Sequence, residues 1–383
     1  MLILLTRLLP PTIYGNLTAA MALAVVMGLL PSLGSGYVML SATARKGDAA
    51  SDIWRYAWPL TLLLGCALLL VYLLCGGLIT DRGLLSLNTL WWIGATELLI
   101  TPFITLLSFT LQASERVPLS QFVQWLPLGL RLLAIAPCFA VDDEDRLATY
   151  AILQFATSVV SLVISYHLTR RYVRLHWDPR IATADELKTG ASYAAMQLVA
   201  ANPTELDKAI AVRAVGAHDA GIYAATSRIM GAMVTPVIAL LLSAQPRLFR
   251  HAHKPDKQGK RLIGLIALLA FGWGIFSSVA LAVCSPLLPV ILGPTYAATA
   301  RLLPWVAITA PFLALRLSAG TVLVALGHPR ERIAFEIAGV LLLASGMVVL
   351  PHFLGVGGLI AAVIMAEAVM AASGWWLVRK HNA

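Results

Sequence analysis

Ten ionisable side chains fall inside long apolar stretches of this 383-residue chain. Five are cations, Arg131, Lys208, Arg213, Arg228 and Arg316, and five are acids, Glu97, Glu205, Asp207, Glu336 and Glu367. A charge held away from water is costly unless it is paired or faces a polar cavity, so each such residue is a functional candidate by default. The spacing sorts them. Arg131 follows Gln124 by seven residues and Gln121 by ten, which lines all three along one face of a helix. Glu97, Thr101 and Ser108 make a similar stripe, and Arg228–Thr235 and Thr309–Arg316 each repeat at seven. A wall carrying Arg131, Lys208, Arg228 and Arg316 suits a polyanion, because the guanidinium fork matches phosphate oxygens in pairs. The competing expectation is that these polar groups bond helices to one another. Glu336 follows Arg332 by one helical turn, an i,i+4 pair of ordinary structural kind. Glu205 can pair with Lys208 at i,i+3, and Arg213 is near enough to a helix end to snorkel. Glu97, Asp207 and Glu367 are candidate coupling acids, on burial alone.

The elements that carry these residues are membrane helices. Apolar side chains make up 59% of the chain, charged ones 12%, and mean hydropathy is +0.81. A soluble domain of this size carries about twice that share of charge. A spanning helix needs about 20 mainly apolar residues. Eleven such blocks are predicted, at 16–42, 56–79, 88–112, 118–140, 147–168, 188–214, 219–245, 262–284, 299–325, 332–351 and 354–378. The expected fold is an all-α polytopic membrane bundle. Asn202-Pro203, just ahead of the charged run, is the best hinge candidate, since proline removes a backbone hydrogen bond.

Charge in the connections sets the expected orientation. Nineteen Lys and Arg fall in one alternate set of loops, from Arg45 through Arg170, Arg250 and Arg330 to Lys380. Four fall in the other set, beside the acidic run Asp142-Asp143-Glu144-Asp145. Excess Lys and Arg mark the cytoplasmic side, which predicts a cytoplasmic C-terminus. The net charge of +9 is therefore read as topology, and nucleic acid is not an expected partner.

The chain also echoes itself. Arg7-Leu-Leu-Pro-Pro-Thr-Ile-Tyr-Gly15 and Arg213-Ala-Val-Gly-Ala-His-Asp-Ala-Gly221 align at an offset of 206, each ending a helix in Arg and restarting at Gly. Leu111-Gln-Ala113 and Leu323-Val-Ala325 give a second echo. The expectation is a six-plus-six pseudo-repeat whose first helix is truncated to a stub, giving about 11 full helices. It divides as 1–170, a basic cytoplasmic linker 171–187, and 188–383.

These residues resemble the polysaccharide-biosynthesis flippases, Wzx-type O-antigen, capsule and exopolysaccharide lipid flippases of the multidrug/oligosaccharidyl-lipid/polysaccharide exporter superfamily. The carrying stretches are Glu205-Leu-Asp207-Lys208 with Arg213 and Gly221-Ile-Tyr223, then Ile291-Leu-Gly293-Pro-Thr-Tyr296, then Ala325-Leu-Gly327-His-Pro329-Arg. The resemblance runs from Ile3 to the end. It implies transport by alternating access of an undecaprenyl-pyrophosphate-linked oligosaccharide across a bacterial inner membrane. It also implies lipid contact and association with a polysaccharide polymerase and glycosyltransferases. The missing first helix departs from the family pattern.

Two other functions compete. A drug or small-molecule antiporter of the same superfamily would want an acid-lined cavity, whereas arginines share these walls. An integral membrane polymerase or glycosyltransferase would want a catalytic carboxylate or histidine on a sizeable outer loop, and 284–298 has no Asp, Glu or His. No cofactor and no metal are expected. The four cysteines form no CxxC, and His167, His176, His251, His253 and His328 read as residues at cytoplasmic helix ends.

Overall fold

The computed structural model describes residues 1–46, 49–79, 85–201, 205–251 and 257–382. Among the described residues no strand occurs. Eight of their helices are long and apolar enough to cross a membrane, and a ninth counts if a bent pair is one span. Large apolar side chains such as Leu63, Leu70, Leu74, Leu268 and Val283 are exposed on these helices. With no water outside to satisfy the backbone, only helices of this kind can span a bilayer. This chain is a multi-pass membrane protein.

The chain separates into two compact units. The first holds residues 3–9 and 16–209, and the second holds 10–15 and 210–383. A stub, α1 (Leu2–Leu8), precedes α2 (Pro11–Met27), which belongs to the first unit from Asn16 onward. The predicted block 16–42 is broken in two. The α2 helix stops at Met27, a run of turns follows, and α3 (Ser35–Lys46) restarts the chain. Leu33 and Gly34 take positive φ there, at 42° and 65°, a conformation that no helix continues.

The remaining first-unit helices are α4 (Ala50–Ile79), α5 (Leu87–Ala95), α6 (Thr101–Ala113), α7 (Val117–Ile135), α8 (Arg146–Thr169) and α9 (Ala184–Ala201). A core of Val38, Met39, Ile53, Trp54, Leu106 and Leu107 joins α3, α4 and α6. The predicted block 188–214 holds the end of α9, at Ala201, and α10 (Leu206–Val215). Asn202 and Pro203, the expected hinge, lie outside the described residues. Residues 188–209, expected in the second half, belong to the first unit, where Tyr193 of α9 stacks on Tyr37 of α3 at 5.4 Å.

The segment expected as a linker is built onto α4. Trp177 packs against Trp54, Trp58 and Tyr166 with centroids 5.4–5.8 Å apart. Arg55 pairs with Asp178, and Arg180 spans Asp52 at 3.2 Å and Glu186 at 2.8 Å.

In the second unit lie α11 (Ala217–His251), α12 (Lys257–Cys284), a short α13 (Leu288–Leu292), α14 (Thr299–Ala307), α15 (Thr309–Ala325), α16 (Pro329–Val349), α17 (Pro351–Leu354) and α18 (Val356–Asn382). The predicted span 299–325 is the bent pair, α14 and α15, meeting at 40°. Pro311 explains the bend. It has no N–H to give the Ala307 carbonyl one turn back. The Ser278 hydroxyl of α12 donates to that carbonyl instead. Trp273 Nε1 donates to the Met233 carbonyl of α11 at 2.8 Å. In lipid such side-chain bonds and close packing, not water exclusion, hold helices together.

Candidate functional site

The first unit contains a cavity of about 400 Å³ with a smaller lobe of about 120 Å³ beside it. Both are lined by Tyr37, Glu97, Thr101, Thr105, Phe109 and Gln197. The larger adds Gln124, Pro127 and Arg131. Its walls therefore mix a close aromatic pair, Tyr37 and Phe109 at 4.8 Å, with hydroxyls, two amides and a buried ion pair.

Glu97 is placed by an irregularity. Residues Thr96–Ile100 form a π-helical turn between α5 and α6. Pro102 follows and withholds a donor from the Leu98 carbonyl, so the regular ladder cannot run through. Such turns recur at functional sites because they re-aim side chains. Two glycines make room for it. A Cβ on Gly28 would stand 2.7 Å from the Glu97 carbonyl oxygen, and one on Gly65 2.6 Å from that of Leu98. Both distances are closer than real Cβ atoms come, so the α2 end and α4 reach the turn only as glycine.

The Glu97 carboxylate is about 95% buried and meets Arg131 Nη2 at 2.8 Å. Gln154 Nε2 of α8 donates to the same Oε1 at 3.3 Å, and Arg131 Nη2 lies 3.5 Å from the Ser158 hydroxyl. Among the described residues the Arg131 Nε and the Gln154 Oε1 have no hydrogen-bond partner, and both are shielded from solvent. Charges cancel here, but one donor and one acceptor remain open beside the cavity. Gln124 lines the cavity while its amide bonds the Ser108 hydroxyl at 2.9 Å, and Ser108 in turn meets the Ser120 hydroxyl at 2.9 Å. Gln121 is exposed and lies outside both linings.

The other candidates are dispersed. Lys208 Nζ bonds the adjacent Asp207 carboxylate at 3.0 Å. Spacing pointed to Glu205 for this amine, but the structure places Asp207 beside it, where the same carboxylate oxygen also accepts the Lys208 amide at 2.8 Å. In the second unit, Arg316 of α15 is 1% exposed and its Nε donates to Glu367 of α18 at 2.7 Å. Both Arg316 terminal nitrogens are buried without hydrogen bonds among the described residues. Arg228 of α11 is half-buried and forms no ion pair among the described residues. Its Nε is likewise buried without a partner there. Arg332 and Glu336 make the expected i,i+4 pair at 3.1 Å. Sequence spacing does not reveal the aromatic lining or Gln154, whose proximity to Glu97 depends on helices packing at 57 residues' separation.

The fold is that of known membrane transporters. The chain aligns over its full length with an inward-facing multidrug resistance MATE family transporter of the MOP superfamily, at TM-score 0.86, 13% identity and 92% of that chain. The outward-facing conformation of such a transporter gives 0.63 at 15% identity, over 97% of this chain and 86% of that one. A MOP superfamily transporter from Pyrococcus furiosus, described as having a binding pocket of reverse polarity, gives 0.62 at 13% identity over 97% and 86%. No curated protein matches the sequence. The sequence profile of the family described as polysaccharide biosynthesis protein matches residues 1–251. Two-thirds of the chain thus carries that pattern, and the chain belongs to the polysaccharide biosynthesis protein family.

Proposed function

We propose that this protein is a flippase that moves an undecaprenyl-pyrophosphate-linked oligosaccharide across a bacterial inner membrane by alternating access between two homologous halves. The observation that carries this reading is the Arg131–Glu97 pair on the wall of a polar, aromatic-lined cavity in a bundle whose exterior is apolar. A lipid-borne substrate needs that contrast, with a polar place for its head and lipid for its tail.

The cations divide the work. Arg131 is neutralised by Glu97, so its cavity suits uncharged sugar, with Gln124, Gln197 and the threonines for hydroxyls and Tyr37 for a ring face. Arg228, which forms no ion pair among the described residues, is the better phosphate partner, while Arg316 and Lys208, each paired to an acid as Arg131 is, are further cations. Gln121 extends the polar stripe towards the cytoplasmic side. Glu97, Asp207 and Glu367 are the acids that could exchange a proton during the cycle. The basic loops and the C-terminus face the cytoplasm. The halves descend from one repeated unit. The products feed O-antigen, capsule or other exopolysaccharide synthesis, beside a polymerase and glycosyltransferases. A drug antiporter would want an unpaired acid in its cavity, and here Arg131 occupies Glu97.

The test is surface polysaccharide in a flippase-null strain, with membrane levels matched. The native chain is expected to restore it, and Arg131→Ala, Arg228→Ala and Arg316→Ala each to reduce it. Removing one partner of a desolvated charge contact costs about 2–5 kcal/mol. Full restoration by all three variants would leave the polar groups as helix contacts alone.

A further inference from the structure

His328, Glu331 and His381 come together at one end of the second unit. His328 is the residue before α16, Glu331 lies in the first turn of that helix, and His381 lies in the last turn of α18. His381 Nε2 stands 2.8 and 2.7 Å from the two Glu331 carboxylate oxygens. His328 Nδ1 is 4.0 Å from the nearer of them. The two imidazoles lie face to face, with centroids 3.7 Å apart and planes 20° from parallel. All three donor atoms fall within 4.8 Å of one another.

We propose that these three side chains form a binding site for a divalent transition-metal ion, Zn²⁺ being the best fit. Zinc takes imidazole nitrogen and carboxylate oxygen at about 2.0–2.2 Å and arranges them tetrahedrally. Ligand atoms then stand about 3.3–3.6 Å apart. The present spacings of 2.7 and 4.0 Å bracket that distance, so small side-chain rotations bring all three donors onto one ion. Calcium and magnesium prefer all-oxygen shells, so a set with two imidazoles selects against them. Three protein donors leave a coordination position for water or for a further ligand.

Competition for the carboxylate is limited. Of the two cations flanking it in sequence, Arg332 is engaged with Glu336 and Arg330 makes no ion pair with it, and Lys380 lies over the Trp376 ring at 5.7 Å. The donors are partly exposed, with side-chain accessibilities of 38%, 31% and 20%, which leaves an entry path. The consequence would be mechanical. A bound ion would clamp the start of α16 to the end of α18, two helices that already pack along their length.

The experiment uses the full chain in detergent, purified without a histidine tag, with Zn²⁺ and Co²⁺ as probes. The expected result is one ion per chain, a Co²⁺ visible spectrum of four- or five-coordinate nitrogen–oxygen type, and a rise in melting temperature on adding Zn²⁺. His328→Ala and His381→Ala should each weaken binding by roughly tenfold or more, since losing even an outer partner of a metal site costs 10–100-fold. The melting shift should disappear in the double variant. Melting without metal shows whether each variant is folded, and Glu331→Gln, which keeps the shape of the carboxylate, serves where an alanine variant is not. Equal binding by the native chain and the double variant would place the ion elsewhere and overturn the assignment. No stoichiometric binding by the native chain would also overturn it and leave a hydrogen-bonded imidazole–carboxylate contact with a stacked second imidazole.

Discussion

Gly15 and Gly221 meet backbone to backbone, and they stand at matching places in the aligned stretches Arg7–Gly15 and Arg213–Gly221. A Cβ on Gly15 would strike the Ala217 carbonyl oxygen, and one on Gly221 would strike that of Pro11. Pro11 and Ala217 are themselves separated by the same offset of 206 as the two glycines. Each helix start therefore presents to the other the surface it receives, as in a two-fold interface. Such reciprocity is what the proposed duplication would leave behind.

Replacing Gly221 with Ala should destabilise the chain by about 1–3 kcal/mol, the usual cost of overpacking a well-filled contact. Gly231 lies on the same helix, α11, and a Cβ placed there would meet nothing within 4 Å. Gly231→Ala should be neutral or slightly stabilising, because alanine is the better helix former by about 1 kcal/mol. Thermal melting of the two variants in detergent compares them directly.

Glu97→Gln or Arg131→Gln alone should each lower stability by about 3–5 kcal/mol, because either leaves a buried charge unpaired. The double variant should recover much of that loss. If the pair serves only packing, export recovers with stability. The functional reading predicts that export stays low in the stable double variant, which melting and surface polysaccharide measured together will separate.

Much of this fold is legible in the sequence, and what is not has physical causes. The apolar blocks from 56 to 168 and from 219 to 284 correspond to single helices or to helices with one irregular turn, because period and length suffice for a spanning segment. The break near 28–34 lies inside an apolar run and escapes such a reading, since hydropathy does not register a left-handed turn. Arg131 and Glu97 stand out one by one as expensive charges, and spacing gives each a helical face. Spacing along one helix says nothing of which helices touch. For that reason the 51-residue contact of Arg316 with Glu367 and the 50-residue contact of His381 with Glu331 emerge only from the folded chain.

The segment 171–187 should loosen in acid. Burial alone would raise the Glu186 carboxyl, but hydrogen bonds from Arg180 and from the Thr183 amide and hydroxyl outweigh it and hold the group below its ordinary range. A lowered carboxyl stabilises the fold above the unfolded value, about 4.3. That contribution is lost as pH falls through the lower folded value. Protection of this segment against hydrogen exchange, taken relative to the intrinsic rate at each pH, should therefore fall as pH falls from about 5 to about 3. Glu186→Gln should show the lower protection already near neutral pH.

The central claim is translocation of a lipid-linked sugar, and the most direct measurement is made in vesicles. The chain is reconstituted into liposomes carrying an undecaprenyl-pyrophosphate-linked oligosaccharide, and movement is read as protection of the sugar from an added glycosidase. The account predicts transfer above protein-free vesicles, reduced at least tenfold by Arg131→Ala and Arg228→Ala at equal reconstitution, a factor equal to about 1.4 kcal/mol. Transfer equal to that of protein-free vesicles, or unchanged in both variants, would contradict it.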